Sequence, residues 1–185
     1  MATGDRGLTE FTVKEATNLI AQRKVIRVTP TLSTDAYTAQ DVLIMSTEIP
    51  NAVLSPGGCS LLQSISILNH KNTAIDMHVV FQQTNVDPSS AINEPVANSS
   101  TWTKALSSSA NVLGWVEVDW SDGLTDLINN QLFQIEAMTD LSNPSPLMYL
   151  QADKGSTSAY FWAIDKTGGI TFAADDLDFI FHIEY

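Results

Sequence analysis

The stretch that decides the fold is Leu177-Asp178-Phe179-Ile180-Phe181-His182-Ile183-Glu184-Tyr185. Leu177, Phe179, Phe181, Ile183 and Tyr185 share one parity. Asp178, His182 and Glu184 take the other, and Ile180 is the one apolar residue among them. A period of two belongs to a strand with one buried face. Five large apolar side chains on that face predict a place inside a sheet rather than in a tail.

Working upstream, the same period recurs. Val25 to Thr29 reads as a strand ended by Pro30, and Asp41 to Ile49 is rich in β-formers. Leu61 to Leu68 and Ala74 to Gln83 both alternate, and the short polar connection between them predicts a hairpin. Gly114 to Trp120 places Val116, Val118 and Trp120 on one face. Trp115 has the opposite parity to Trp120, so one of the two is expected at the surface. Gln131 to Met138, Leu147 to Gln151, Tyr160 to Ile164 and Ile170 to Phe172 complete about eight to ten strands. Many short strands at even spacing predict an antiparallel β-sandwich or barrel. The Gly57-Gly58 and Gly168-Gly169 pairs read as turns that need positive φ.

One short helix is expected before the strands. Thr12-Val13-Lys14-Glu15 has the capping-box form. Val13, Ala16, Leu19 and Ile20 follow on one face, and Arg23 and Lys24 stand where they would complement the dipole. Residues 1–24 thus form an arm and helix, and residues 25–185 a sandwich domain with a long polar loop at 84–111. Such a helix is marginal alone, so it is expected to pack on the body or on another chain.

Composition narrows the function. The 185 residues are 44% hydrophobic and 16% charged, with a net charge of −12, which suits one domain with one core. The acidic balance disfavours nucleic acid, whose phosphates need a basic patch, and disfavours anionic membranes. The start of the chain lacks the apolar region of a secretion signal, so synthesis and folding in a cytoplasm are expected. The single cysteine, Cys59, reads as a small buried apolar residue.

Chemistry finds little support. His70, His78 and His182 lack the spacing of a metal site, and the Asp175-Asp176-Leu177-Asp178 cluster reads as the solvated start of a strand. The glycine-rich Ser55–Ser60 run lacks the Lys-Ser/Thr of a phosphate loop. No catalytic residue, cofactor or metal is expected.

The order of elements resembles a family of small structural proteins of tailed phages. Val28-Thr29-Pro30-Thr31-Leu32-Ser33-Thr34-Asp35-Ala36-Tyr37 is similar to the family's opening segment, followed by Asp41-Val42. The Pro56-Gly57-Gly58 turn leading into Leu62–Leu68, the Ala74–Phe81 strand, Leu113-Gly114 and the aromatic strand around Tyr160 continue the likeness. It covers residues 28 to 185 and departs in the N-terminal helix, the loop from Thr84 and the tryptophan content.

The resemblance implies a jelly-roll-like sandwich on the virion, as a capsid decoration or cement protein against a major capsid protein, with a homotrimer favoured. Phe11, Leu19, Arg23, Tyr37, Trp102 and Trp115 are the expected contact residues. The alternative is a fibre or baseplate module that binds host-surface glycans through its tryptophans.

Overall fold

The computed structural model describes residues 22–71, 73–86, 111–120, 131–136 and 148–185. The expected N-terminal helix and most of the 84–111 loop lie outside these residues, as do Phe11, Leu19 and Trp102.

Nine strands are described. They are β1 (Arg23–Val28), β2 (Val42–Ile49), β3 (Cys59–Asn69), β4 (Met77–Gln82), β5 (Val112–Val118), β6 (Gln131–Glu136), β7 (Met148–Gln151), β8 (Ala159–Asp165) and β9 (Leu177–Glu184). One sheet has the order β1-β9-β3-β6, with β7 also on β3; the other has the order β2-β8-β4-β5. Every pairing is antiparallel.

The pairings nest. β1 takes β9, β2 takes β8, β3 takes β6 and β7, and β4 takes β5. The chain is therefore one long folded ladder, rolled so that successive pairs fall in opposite sheets. This is the jelly-roll order of a two-sheet sandwich. β3 is long enough for two partners on one edge: β7 along Cys59–Leu62 and β6 along Ser64–Asn69.

The terminal alternation does what its period demands. Leu177, Phe179, Phe181 and Ile183 are buried in the central core, and Tyr185 packs against it. β9 lies between β1 and β3, so its inward face sits in the interior of that sheet and carries Phe179 and Phe181 into the core. Phe81, Phe161, Phe179 and Phe181 form an aromatic heart, with Phe161 4.9 Å from Phe179 and 5.1 Å from Phe181 between ring centroids.

β8 is buried on both faces. Ala159, Phe161 and Ala163 face the core, while Trp162 and Ile164 join Val80 in a second cluster on the opposite face of the sheet. Trp162 is 1% exposed, and its indole N–H donates to Gln82 Oε1 at 3.2 Å. Gln82 Nε2 in turn donates to Ser46 Oγ at 2.9 Å and to the Val86 carbonyl at 2.7 Å. A buried polar group costs stability unless it is bonded in this way.

Four expectations are corrected. β3 and β4 are not a hairpin: β4 pairs with β5 and β8 in the other sheet. The connection crosses the sandwich, so Ile65 and Ile67 face Met77, Val79 and Phe81 through the core instead of beside them. Buried Asn69 braces that crossing by donating to the Thr73 carbonyl and accepting from the Lys71 N–H, both at 2.8 Å.

Ile170 to Phe172 forms no strand and keeps only an isolated bridge between Thr171 and Ala36. Its groups bond to the β1–β2 connection instead, with Tyr37 N–H on the Ile170 carbonyl and Gly169 N–H on the Tyr37 carbonyl. Arg23 and Lys24 are not a helix end. They open β1, in register with Glu184 and Ile183. Cys59 is exposed, because Ser60 and Leu62 take the inward parity of β3.

The two expected glycine turns have positive φ, with Gly57 at 72°, Gly168 at 70° and Gly169 at 77°. Gly168 is the tightest: a Cβ there would meet the Ala39 backbone nitrogen at 2.5 Å. Asp165 fixes the same turn by accepting from the Thr167 and Gly168 N–H groups. Gly168→Ala adds strain and a clash with fixed backbone, so thermal unfolding is expected to show a loss of about 1.5 kcal/mol.

Candidate binding groove

β5 and β7 are outer strands of opposite sheets, and they approach each other along one side of the sandwich. Between them lies a groove of about 550 Å³. Local sequence shapes it. Val116 and Val118 take the inward positions of β5, so Trp115 is forced outward. In β7, Met148 and Leu150 go inward, and Tyr149 and Gln151 go outward.

Trp115 is 56% exposed and Tyr149 68% exposed. Both line the groove, with Cys59 and Gln151 on the same side as Tyr149 and Val112 on the side of Trp115. Leu113, Gly114 and Met148 complete the lining. A register shift near Leu113 separates the Phe81–Gly114 and Gln82–Val112 pairs, a bulge that bends β5 here. Gly114 admits Met148: a Cβ at Gly114 would meet the Met148 methyl at 2.7 Å.

Trp115 has an aromatic neighbour on the same face of the sheet. His78 meets its ring edge-on, with centroids 5.3 Å apart and planes at 79°. Burial lowers the His78 pKa, nearby Lys166 lowers it further, and Glu117 opposes both. The His78 imidazole is thus shifted toward the neutral form beside the Trp115 ring. Glu117 and Lys166 form an ion pair beside it. Exposed pairs of this kind contribute little stability.

The sequence-derived contact residues fall in different places. Trp115 is in the groove. Arg23 is exposed on β1, three strands across the first sheet from β7, where it pairs with Glu184 at 3.6 Å. Tyr37 is corrected: at 1% exposed it offers this chain no contact surface. It is a core residue whose ring packs edge-on to Phe172 and whose hydroxyl accepts from the Ser33 N–H at 2.6 Å. Burial raises its pKa.

Tyr149, Met148 and Gln151 are groove residues that the sequence reading passed over. The signal was present in the alternation Met148-Tyr149-Leu150-Gln151, which puts Tyr149 outside. Four residues give too short a run to fix parity without the partner strand.

A second polar cluster surrounds Asp178, at the far end of β9 from Glu184. Far from being solvated, its side chain is 2% exposed. It accepts from Arg27 and from Thr29 Oγ1, and His70 Nε2 lies 2.7 Å away. Burial alone would raise its pKa, but these hydrogen bonds outweigh that and hold it at about 2.

The fold and the groove define a jelly-roll sandwich with an exposed aromatic edge. The chain matches no family model, and no curated protein matches it.

Proposed function

We propose that the chain is a structural protein of a tailed-phage virion that decorates the head shell as a cement protein. The nested jelly-roll ladder is the observation that supports this most: it makes a stiff, two-layer body whose outermost described strands are β1, β6 and β7 in one sheet and β2 and β5 in the other. The segment of the resemblance around Thr29–Tyr37 has a structural part to play in that body. Its Leu32 N–H bonds the Ala174 carbonyl and its Tyr37 N–H the Ile170 carbonyl, tying the β1–β2 connection to the β8–β9 connection.

In this proposal the major capsid protein is the partner, and copies of the chain gather about a threefold axis. Closed rotational symmetry suits such assemblies. Quantitative mass spectrometry of purified parent particles tests it. Hundreds of copies per virion are expected. A few dozen copies, or none, would overturn the decoration role.

A further inference from the structure

We propose that the groove between β5 and β7 is a binding site for a neutral saccharide. The site is independent of the decoration role and holds wherever on a particle the chain resides.

Three observations carry it. First, Trp115 and Tyr149 are both exposed and both belong to the lining of one groove, from opposite sheets. Exposed tryptophan is costly to leave in water, and an indole face accepts the C–H groups of a sugar ring by dispersion and weak C–H contacts. The His78 ring lies edge-on beside Trp115 on the same face of the sheet, which restricts the indole before a ligand arrives.

Second, among the described residues the lining contains no charged side chain, in a protein of net charge −12. A sialylated or sulfated sugar would meet a repulsive field and no cation. A neutral sugar meets neither penalty. Gln151 supplies an amide donor and an acceptor, and Tyr149 a hydroxyl, for the sugar's own hydroxyls.

Third, the size is that of a small-ligand site. The groove measures about 550 Å³, within the roughly 300–1,000 Å³ typical of such pockets. Among the described residues its exposed apolar side chains are Val112, Trp115 and Tyr149. A stable protein partner engages on the order of 20–30 residues on each side. Three side chains fit a sugar ring better than a protein face.

The test uses the full chain and a panel of cellotriose, maltotriose, N,N′,N″-triacetylchitotriose and 3′-sialyllactose in isothermal titration calorimetry. At least one neutral trisaccharide is expected to bind, and at least about tenfold more tightly than 3′-sialyllactose. Trp115→Ala and Tyr149→Ala are each expected to weaken it at least about tenfold, and Trp115→Phe to restore part of the loss. Both positions are exposed, and an unchanged thermal midpoint shows that the variants fold.

Binding left unchanged by Trp115→Ala would overturn the proposal, as would preference for the sialylated sugar. So would failure of all three neutral sugars. Concentration-dependent dimerisation abolished by Trp115→Ala, without sugar binding, would assign the groove to a second copy instead. Particle copy number is read separately, so failure here leaves the decoration role to its own test.

Discussion

Phe181→Ala is expected to cost about 4 kcal/mol of folding stability. Phe181 is fully buried on β9 and touches three aromatic rings, those of Phe81, Phe161 and Phe179. Removing the ring loses its transfer free energy. It also leaves a cavity that two hydrogen-bonded sheets cannot collapse to fill. β9 is paired on both edges, to β1 and to β3, so its backbone has no room to shift. Urea unfolding is the measurement: the midpoint should fall with the slope unchanged. Phe181→Leu keeps most of the volume and should recover more than half of the loss. A loss under about 1 kcal/mol for Phe181→Ala would mean that the sheets are not packed on this ring.

Asp178→Ala is the second, with an expected loss of about 3 kcal/mol at neutral pH. The buried carboxylate accepts from Arg27 and Thr29 and lies against His70, and alanine removes all three interactions together. The folded pKa of about 2 lies below the ordinary 3.8. A depressed carboxylate contributes stability that is fully present above the unfolded pKa. That stability is lost as pH falls through the folded pKa. The window is therefore pH 4 down to 2, and the contribution is about 2 kcal/mol. Unfolding free energy measured across this window should fall less steeply in Asp178→Ala than in the parent. Parallel slopes in the two proteins would refute the assignment.

These two residues also mark what can be read from the sequence and what cannot. Phe181 was legible because a strand with one buried face writes its period directly into the chain. The same holds for Trp120, inward as its parity with Val116 and Val118 required, and for Trp115, outward as the opposite parity required. Asp178 was not legible. Its parity placed it on the outer face, and burial there depends on Arg27 and His70, brought in from β1 and from the end of β3. Tyr37 failed for a related reason: it lies in a connection, where no period assigns a face. The β3–β4 hairpin failed because a short polar connection looks the same whether it reverses within a sheet or crosses between two. The groove needed two strands from opposite sheets, and only their meeting makes Trp115 and Tyr149 neighbours.

The position of β9 has a consequence for how the protein is made. Arg27 and Asp178 are 151 residues apart in the chain and adjacent in the sheet. During translation β1 leaves the ribosome among the first strands, and β3 soon after it, yet β9, the strand between them, comes last of the nine. Until then both carry unpaired edges, which are templates for association with other chains. Non-local pairing of this kind also makes folding slow. A nascent chain arrested before Leu177 would thus hold eight of the nine described strands, with a strand-wide slot between β1 and β3. Ribosome pausing before the β9 codons would leave β1 and β3 without the strand that joins them.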